Sequence, residues 1–188
     1  MVDGSREDLS FDKLLQQRRM LARGLFKAVT RLQELENELY TDSLTGLASE
    51  KVFERELPRL VGLAQSRGEP LALLVADVNG LKRANDLEGH ATGDELLKRV
   101  ADATRRSARP SDVPIRRSVG GDEFVVILPG FSPKPGQTEE DLFDDTVKRF
   151  ENTYTEAVAS LGLREEVHAG VSFGVAILRD GESAKDLF

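Results

Sequence analysis

The segment Gly120-Gly121-Asp122-Glu123-Phe124 sets two acids directly after two glycines, and it leads into the apolar residues 125–128. Glycines allow positive φ angles and let a ligand approach the backbone, while the apolar residues are typical of a buried strand. Carboxylates fixed at such a bend are oxygen ligands of the kind that Mg²⁺ prefers. The segment therefore predicts either a cation site beside a phosphate or an ordinary hairpin.

A further carboxylate, Asp77, stands at the end of the apolar run 71–76. This run is too short for a typical helix and predicts a central strand. A charge at the end of a buried strand loses hydration unless a cation or hydrogen bonds compensate it. Asp77 is therefore a candidate cation ligand, and the alternative is a cap for the helix that follows.

Two more polar residues, Asn85 and Asp94, flank a glycine-bounded turn between a short helix and a long helix that ends near residue 107. This arrangement allows both side chains to face one pocket. The whole chain predicts the order helix, helix, strand, helix, helix, strand, turn, strand, helix, strand, with antiparallel pairing across the glycine turn.

The N-terminal 40 residues carry apolar side chains at alternating steps of three and four. The seam consists of Phe11, Leu14, Arg18, Leu21, Leu25, Ala28, Leu32, Leu35 and Leu39, with Arg18 as its one polar interruption. We expect a helix of about 30 residues that forms a parallel coiled-coil dimer, and the alternative is an amphipathic helix packed on its own domain. The turn signal at 41–47, in which Asp42 or Ser43 can cap backbone amides, marks the start of the globular domain.

Composition limits the function classes. The 188 residues, 39% of them hydrophobic, are enough for one domain with a core and an appendage. A net charge of −7 argues against a nucleic-acid partner, and the absence of cysteine excludes disulfides and thiolate metal sites. The first ten residues are polar and no apolar run reaches membrane-spanning length. The expectation is therefore a cytoplasmic protein or the cytoplasmic part of a larger one.

Four motifs in this order resemble the GGDEF domain family, the diguanylate cyclases that join two GTP molecules into cyclic di-GMP. They are Asp42-x-Leu44-Thr45-Gly46-Leu47, Asp77 with Lys82-x-x-Asn85-Asp86-x-x-Gly89-His90-x-x-Gly93-Asp94, Gly120-Gly121-Asp122-Glu123-Phe124, and Val171-Ser172-Phe173-Gly174-Val175-Ala176. The resemblance covers about residues 41–180. It implies an α+β fold like the ferredoxin-like palm of nucleotide cyclases and polymerases, in a domain at 41–188 that follows a signalling coiled coil at 1–40. In the family such a coiled coil relays the signal of an upstream sensor.

The resemblance also implies a cation site and two chemical roles. Asp77, Asp122, Glu123 and the backbone carbonyl of Val78 would hold Mg²⁺, with Mn²⁺ as an alternative. Asp122 and Glu123 would be the catalytic acids, and Glu123 would assist removal of the proton from the attacking 3′-hydroxyl.

The residues implied for GTP binding are Asn85, Asp94, Lys82, Gly120 and Gly121. The first two would read guanine, because a carboxylate can accept hydrogen bonds from both the ring N–H and the exocyclic amine. Lys82 and the amides after Asp77 would lie along the β- and γ-phosphates, and the two glycines would let the nucleotide lie against the backbone.

The chain departs from the family pattern before the signature. Seven residues, 113–119, separate Asp112 from Gly120 where five are usual, and Ser118 stands where an arginine is expected. We expect a bulge in the preceding strand that displaces Arg116 and Arg117. Arg109 and Asp112 resemble the family's product-inhibition site, and a plain turn at the end of a helix is the alternative.

Two other departures concern residues 49–51 and the end of the chain. Ser49-Glu50-Lys51 stands where the family often has Asn-Arg-Arg, and the chain ends at Phe188, ahead of a helix whose Lys and Arg contact phosphates in the family. The domain is therefore expected to be truncated. The leading function is a diguanylate cyclase that acts as a homodimer. The alternative is a silent domain that binds GTP or cyclic di-GMP, or that only dimerises.

Overall fold

The computed structural model describes the backbone of residues 4–117 and 121–188, and the side chains of residues 13–117 and 121–188. In chain order the elements are α1 (Gly4–Tyr40), α2 (Glu50–Arg67), β1 (Leu71–Asn79), α3 (Leu81–Glu88), α4 (His90–Ser107), β2 (Val113–Arg116), β3 (Glu123–Pro129), α5 (Glu139–Ala159), a 3₁₀ turn (Glu165–Val167), β4 (Gly170–Ile177) and α6 (Ala184–Leu187). The predicted order of helices and strands is confirmed.

The four strands form one antiparallel sheet in the order β2-β3-β1-β4, so β1 is central. In the ladder Asp77 lies opposite Glu123 on one side and opposite Ser172 on the other. The predicted α+β fold with a mostly antiparallel sheet is confirmed.

The side chains of β1 alternate between two cores, one on each face of the sheet. Ala72 and Leu74 pack in the core that α4 and α5 complete, whereas Leu71 and Leu73 pack in the core that α2 and α6 complete. By the same alternation Asp77 lies on the α2 face. Glu123 shares that face, because it alternates with Val125 and Ile127.

Helices α4 and α5 are joined inside the first core by a hydrogen bond between the hydroxyls of Thr104 and Tyr154, with oxygens 3.1 Å apart. Burial raises the pKa of the Tyr154 phenol to about 12. These two helices cover the face of the sheet opposite to the acids.

The bulge expected in β2 is wrong. The pairing runs without interruption from Val113 opposite Ile127 to Arg116 opposite Phe124. Beyond it, the amide of Arg117 donates to the carbonyl of Glu123 at 2.9 Å. No bulge therefore interrupts the pairing of residues 113–117, and Ser118 and Gly120 lie outside the described residues.

The chain divides into two compact units, residues 1–39 and 40–188. Helix α1, with 37 residues, is longer than the 30 expected. From Leu14 to Leu39 its seam is exposed, with Leu21 73% and Leu25 68% accessible, and the side chain of Phe11 lies outside the described residues. Among the described residues no helix is long and apolar enough to cross a membrane.

The turn that opens the second unit is closed by Asp42, as predicted. Its carboxylate accepts a hydrogen bond from the Thr45 amide at 2.8 Å, and its own amide donates to the Leu47 carbonyl at 2.8 Å. These bonds fix the start of the domain next to α2.

Candidate active site

A cleft of about 510 Å³ opens where β1 ends, between the β1–α3 turn and the hairpin that precedes β3. Its lining consists of Asp77, Val78, Asn79, Gly80, Leu81, Lys82, Arg83, Asp122, Val167 and His168. Four residues predicted for cation and phosphate binding, Asp77, Val78, Lys82 and Asp122, thus share one cleft.

The two carboxylates of the cleft are held by backbone pairing. The amide of Val78 donates to the carbonyl of Asp122 at 3.0 Å, which fixes the hairpin beside the end of β1. Partial desolvation and the nearby charge of Asp122 raise the pKa of Asp77. The alternative role of Asp77 as a helix cap is wrong, because α3 begins at Leu81, and its N-cap residue, Gly80, leaves the helix without a side-chain cap.

Gly80 sets the shape of the cleft floor. Its φ is +79°, and a Cβ at this position would lie 2.5 Å from the carbonyl oxygen of Val167. Only glycine allows the β1–α3 turn to approach the 3₁₀ turn this closely. The approach brings His168, which itself has a φ of +50°, into the cleft.

Sequence reasoning missed His168 and Arg83 as lining residues. Arg83 stands on α3 next to Lys82, and its guanidinium lies 3.5 Å from the carbonyl oxygen of Glu166. The neighbouring Lys82 was the only signal for Arg83. No local signal could place His168, because it arrives from the far end of the chain.

The predicted guanine readers are neighbours. The side chain of Asn85 lies so close to Gly93 that any Cβ there would overlap its Oδ1 atom, and Asp94 follows directly. Asp94 is exposed, and none of the hydrogen bonds among the described residues uses the Asn85 side-chain amide. Gly93 therefore lets the Asn85 side chain lie against the first turns of α4, one residue before Asp94.

Glu123, the second predicted acid, is engaged by an arginine. Its Oε2 lies 2.7 Å from Nη1 of Arg117, whose Nε also contacts both carboxylate oxygens of Glu50 at 3.0 and 3.1 Å. Across the described residues no group of three or more acidic or histidine side chains is placed to hold a metal ion. The predicted set of Asp77, Asp122 and Glu123 is thus only partly assembled.

Arg116, the other displaced arginine, connects the residues just before β3 with the turn at 41–47 that opens the second unit. Its guanidinium contacts Asp42 at 3.0 Å and the carbonyl of Gly121 at 2.7 Å. Gly121 has a φ of +79°, as a turn glycine requires. Gly120, its predicted partner in GTP binding, lies outside the described residues.

The predicted product-inhibition pair lies at the end of α4. Asp112 is buried, and its carboxylate accepts from the amide of Arg109 at 2.7 Å, so it closes the turn as the alternative interpretation proposed. Arg109 is exposed. Sequence reasoning missed Arg149 of α5, whose pKa is lowered by burial and by the charge of Arg109. Its Nε is buried without a hydrogen-bond partner among the described residues.

Comparisons with known proteins identify the family of the chain. A sequence model of the family described as "Diguanylate cyclase, GGDEF domain" matches residues 39–188. An uncharacterized membrane protein of Staphylococcus haemolyticus is 34% identical over 87% of this chain and 43% of its own length. The diguanylate cyclase DgcS of Shewanella oneidensis is 39% identical over 52% of this chain and 32% of its own. The chain thus spans less than half the length of these relatives.

Solved structures show the same architecture. The coiled coil and GGDEF domain of DgcB from Caulobacter crescentus, in complex with c-di-GMP, superposes with a TM-score of 0.77 at 27% identity and covers 93% of this chain and 87% of that one. The diguanylate cyclase SiaD of Pseudomonas aeruginosa, in complex with its activator SiaC, gives a TM-score of 0.65 at 25% identity and covers 96% of this chain and 68% of that one.

Proposed function

Because this chain belongs to the GGDEF domain family of diguanylate cyclases, we propose that it joins two GTP molecules into cyclic di-GMP and releases two pyrophosphates. In each half-reaction a 3′-oxygen bonds to the α-phosphorus of the other GTP, and the bond from that phosphorus to the pyrophosphate oxygen breaks. The hydroxyl proton passes to a base. The supporting observation is the cleft that combines Asp77, Asp122 and Lys82.

A divalent metal is generally used in the family, and we propose Mg²⁺, with Mn²⁺ as an alternative, for this chain. Asp77, Asp122 and the carbonyl of Val78 fit such an ion, because they offer oxygen ligands and two negative charges in one cleft. Partial desolvation first, and the charge of Asp122 second, raise the pKa of Asp77. When bound, the ion supplies charge neutralisation on phosphate oxygens and a lowered pKa of the attacking hydroxyl.

The remaining cleft residues would position GTP. Lys82 and Arg83 offer positive charge beside the amides at the start of α3, which suits a triphosphate. Asn85 and Asp94 offer acceptors to the ring N–H and exocyclic amine of guanine, a pattern that adenine cannot match. Glu123 is the proposed proton acceptor, once its carboxylate leaves Arg117.

A symmetric product requires two half-sites that face each other, since each domain is proposed to hold one GTP. The exposed seam of α1 would bring two chains together at high effective concentration. Signal input from an upstream sensor, location in the cytoplasm and the absence of a nucleic-acid partner stay predictions. The relatives include proteins named as membrane proteins.

The activity is tested by incubating the purified chain with GTP and Mg²⁺ and detecting cyclic di-GMP by mass spectrometry. Asp122→Asn should lower the rate by about a hundredfold or more, because it removes a charge that faces the reacting phosphates. Asp144→Asn on the exposed side of α5 is the charge-matched control. Failure of the unchanged chain to form product at a concentration where light scattering shows a dimer would refute the cyclase.

A second candidate function is a receptor for cyclic di-GMP. It is favoured by the cluster of Arg109, Asp112 and Arg149. The Nε of Arg149 has no hydrogen-bond partner among the described residues and can donate to a ligand. By calorimetry, Arg109→Ala should weaken cyclic di-GMP binding by about tenfold or more, because a hydrogen bond to a charged group is lost. Arg99→Ala, which removes a charge from an exposed pair on α4, is the control. Equal affinity of the two variants would reject this site.

A further inference from the structure

Arg117 connects three separate parts of the second unit through one side chain. Its guanidinium pairs with Glu50 at the start of α2 and with Glu123 at the start of β3. It also lies over the rings of Phe53 and Phe188, 5.1 and 4.3 Å from their centroids. The side chain is only 14% exposed, so these contacts hold it in one place.

The fork of Arg117 is shared unequally between the two acids. Its Nε reaches both oxygens of Glu50, whereas its Nη1 reaches a single oxygen of Glu123. One positive charge therefore serves two carboxylates that are 16% and 25% exposed. Glu50 competes with Glu123 for this arginine.

The backbone alone would direct Glu123 toward the cleft. Glu123 lies directly opposite Asp77 in the antiparallel ladder, and opposed residues project to the same face with Cβ atoms about 4.5–5.5 Å apart. Nevertheless, within residues 13–117 and 121–188 the acids do not gather into a group of three that could hold a metal. The carboxylate of Glu123 is instead in contact with Arg117.

We propose that Arg117 is a positioning residue that holds the Glu123 carboxylate away from the cation site of Asp77 and Asp122, so that a divalent cation binds in competition with this arginine. The inference rests on the cation site of the proposed function. Glu50 weakens the competition, because it draws the same guanidinium toward α2. Removing Arg117 therefore strengthens cation binding, and removing Glu50 weakens it.

The opposite effects expected on removing Arg117 and on removing Glu50 distinguish this role from a structural one. If the ion pair only stabilised the fold, its loss would impair cation binding in either variant. Mn²⁺ binding to the full chain, measured by calorimetry and by electron paramagnetic resonance, is the readout. Arg117→Gln should lower the dissociation constant about five- to tenfold, and Glu50→Gln should raise it about three- to fivefold. Arg59→Gln, which breaks the exposed pair with Glu56 on α2, is the charge-matched control and should change it less than about twofold.

Arg117→Lys keeps the positive charge but lacks the forked guanidinium, so it cannot bridge both acids. Its affinity for Mn²⁺ should lie between the affinities of the unchanged chain and of Arg117→Gln. Thermal unfolding of every variant checks the fold. Unchanged or weaker Mn²⁺ binding in Arg117→Gln and Arg117→Lys overturns the proposal, as does tighter binding in Glu50→Gln.

Asp77→Asn distinguishes failure of this inference from failure of the proposed function. It should abolish the Mn²⁺ signal. If Asp77→Asn still binds Mn²⁺, both the proposed cation site and the proposed competition are refuted. Binding that Asp77→Asn abolishes but Arg117→Gln leaves unchanged would overturn the competition alone.

Discussion

At the scale of single residues, Asp77 combines an exposed carboxylate with a neighbour of the same charge. Its pKa is raised by partial desolvation and by Asp122. A carboxyl group whose pKa is higher in the folded than in the unfolded chain binds more protons when folded. Its favourable contribution to folding is therefore complete at low pH and is lost as the pH rises through the raised pKa.

Asp77→Asn removes this dependence. Without divalent cations we expect the variant to melt about 1–2 °C above the unchanged chain at neutral pH, and the difference to vanish toward about pH 4. Differential scanning calorimetry in the presence of a chelator measures this, with Asp144→Asn as the control. Added Mn²⁺ should raise the melting temperature of the unchanged chain only. The difference in melting temperature between the two proteins should therefore become smaller or change sign. Equal melting temperatures of Asp77→Asn and the unchanged chain at all pH values would show that the charge on Asp77 does not destabilise the fold.

Glu50 departs from the family pattern and takes part in a contact between distant segments. It stands where the family often has an arginine, and its carboxylate pairs with Arg117.

At the scale of elements, the contact between the β1–α3 turn and the 3₁₀ turn determines the cleft. Gly80 allows it, because a Cβ would meet the Val167 carbonyl at 2.5 Å in a backbone conformation that L-residues rarely adopt. The two turns, rather than the strands, therefore set the width of the site.

Gly80→Ala should lower the free energy of unfolding by about 2–3 kcal/mol, the sum of backbone strain and displacement of the 3₁₀ turn. Gly62→Ala is the control, because Gly62 is an exposed helical residue of α2 with nothing within 4 Å of its added Cβ. It should raise stability by about 0.5–1 kcal/mol. Urea unfolding followed by circular dichroism distinguishes the two. Equal effects of the two substitutions would show that the turn adapts.

The elements were predictable wherever the signal is local. The apolar run at 71–76 and the steps of three and four in α1 indicated a strand and a helix, and the structure has both. The four motifs identified the family, which the comparison confirms. The roles implied for single residues stay predictions. Helix α1, with 37 residues, is longer than the expected 30.

Contacts between distant segments could not be predicted. The pair of Arg117 and Glu50 spans 67 positions, and its existence depends on the direction in which α2 crosses the sheet. The same holds for Arg149 beside Arg109 and for His168 in the cleft. No local pattern encodes them, because tertiary packing alone brings these side chains together.

At the scale of the whole molecule, α1 carries apolar side chains that the chain leaves exposed, including Leu25 and Leu32 at 68% and 61%. Exposed residues in a heptad seam are typical of a helix that pairs with a second copy. Met20 and Phe26, each 73% exposed, widen the apolar surface beyond the predicted seam.

Leu32→Asp should raise the dissociation constant of the dimer by about a hundredfold or more, because it places a charge in the seam. Gln33→Asp adds the same charge at the adjacent position outside the seam and should leave the dimer intact. Analytical ultracentrifugation measures both. If Leu32→Asp sediments like the unchanged chain, α1 does not form the dimer contact.

The strand order has a consequence for biosynthesis. Central strand β1 pairs with β4, which begins at Gly170, so nearly the whole second unit must leave the ribosome before the sheet can close. At usual synthesis rates about 5–20 s separate the two strands. During that interval the nascent chain exposes the β4-facing edge of β1, and the earlier helix α1 has already had time to form.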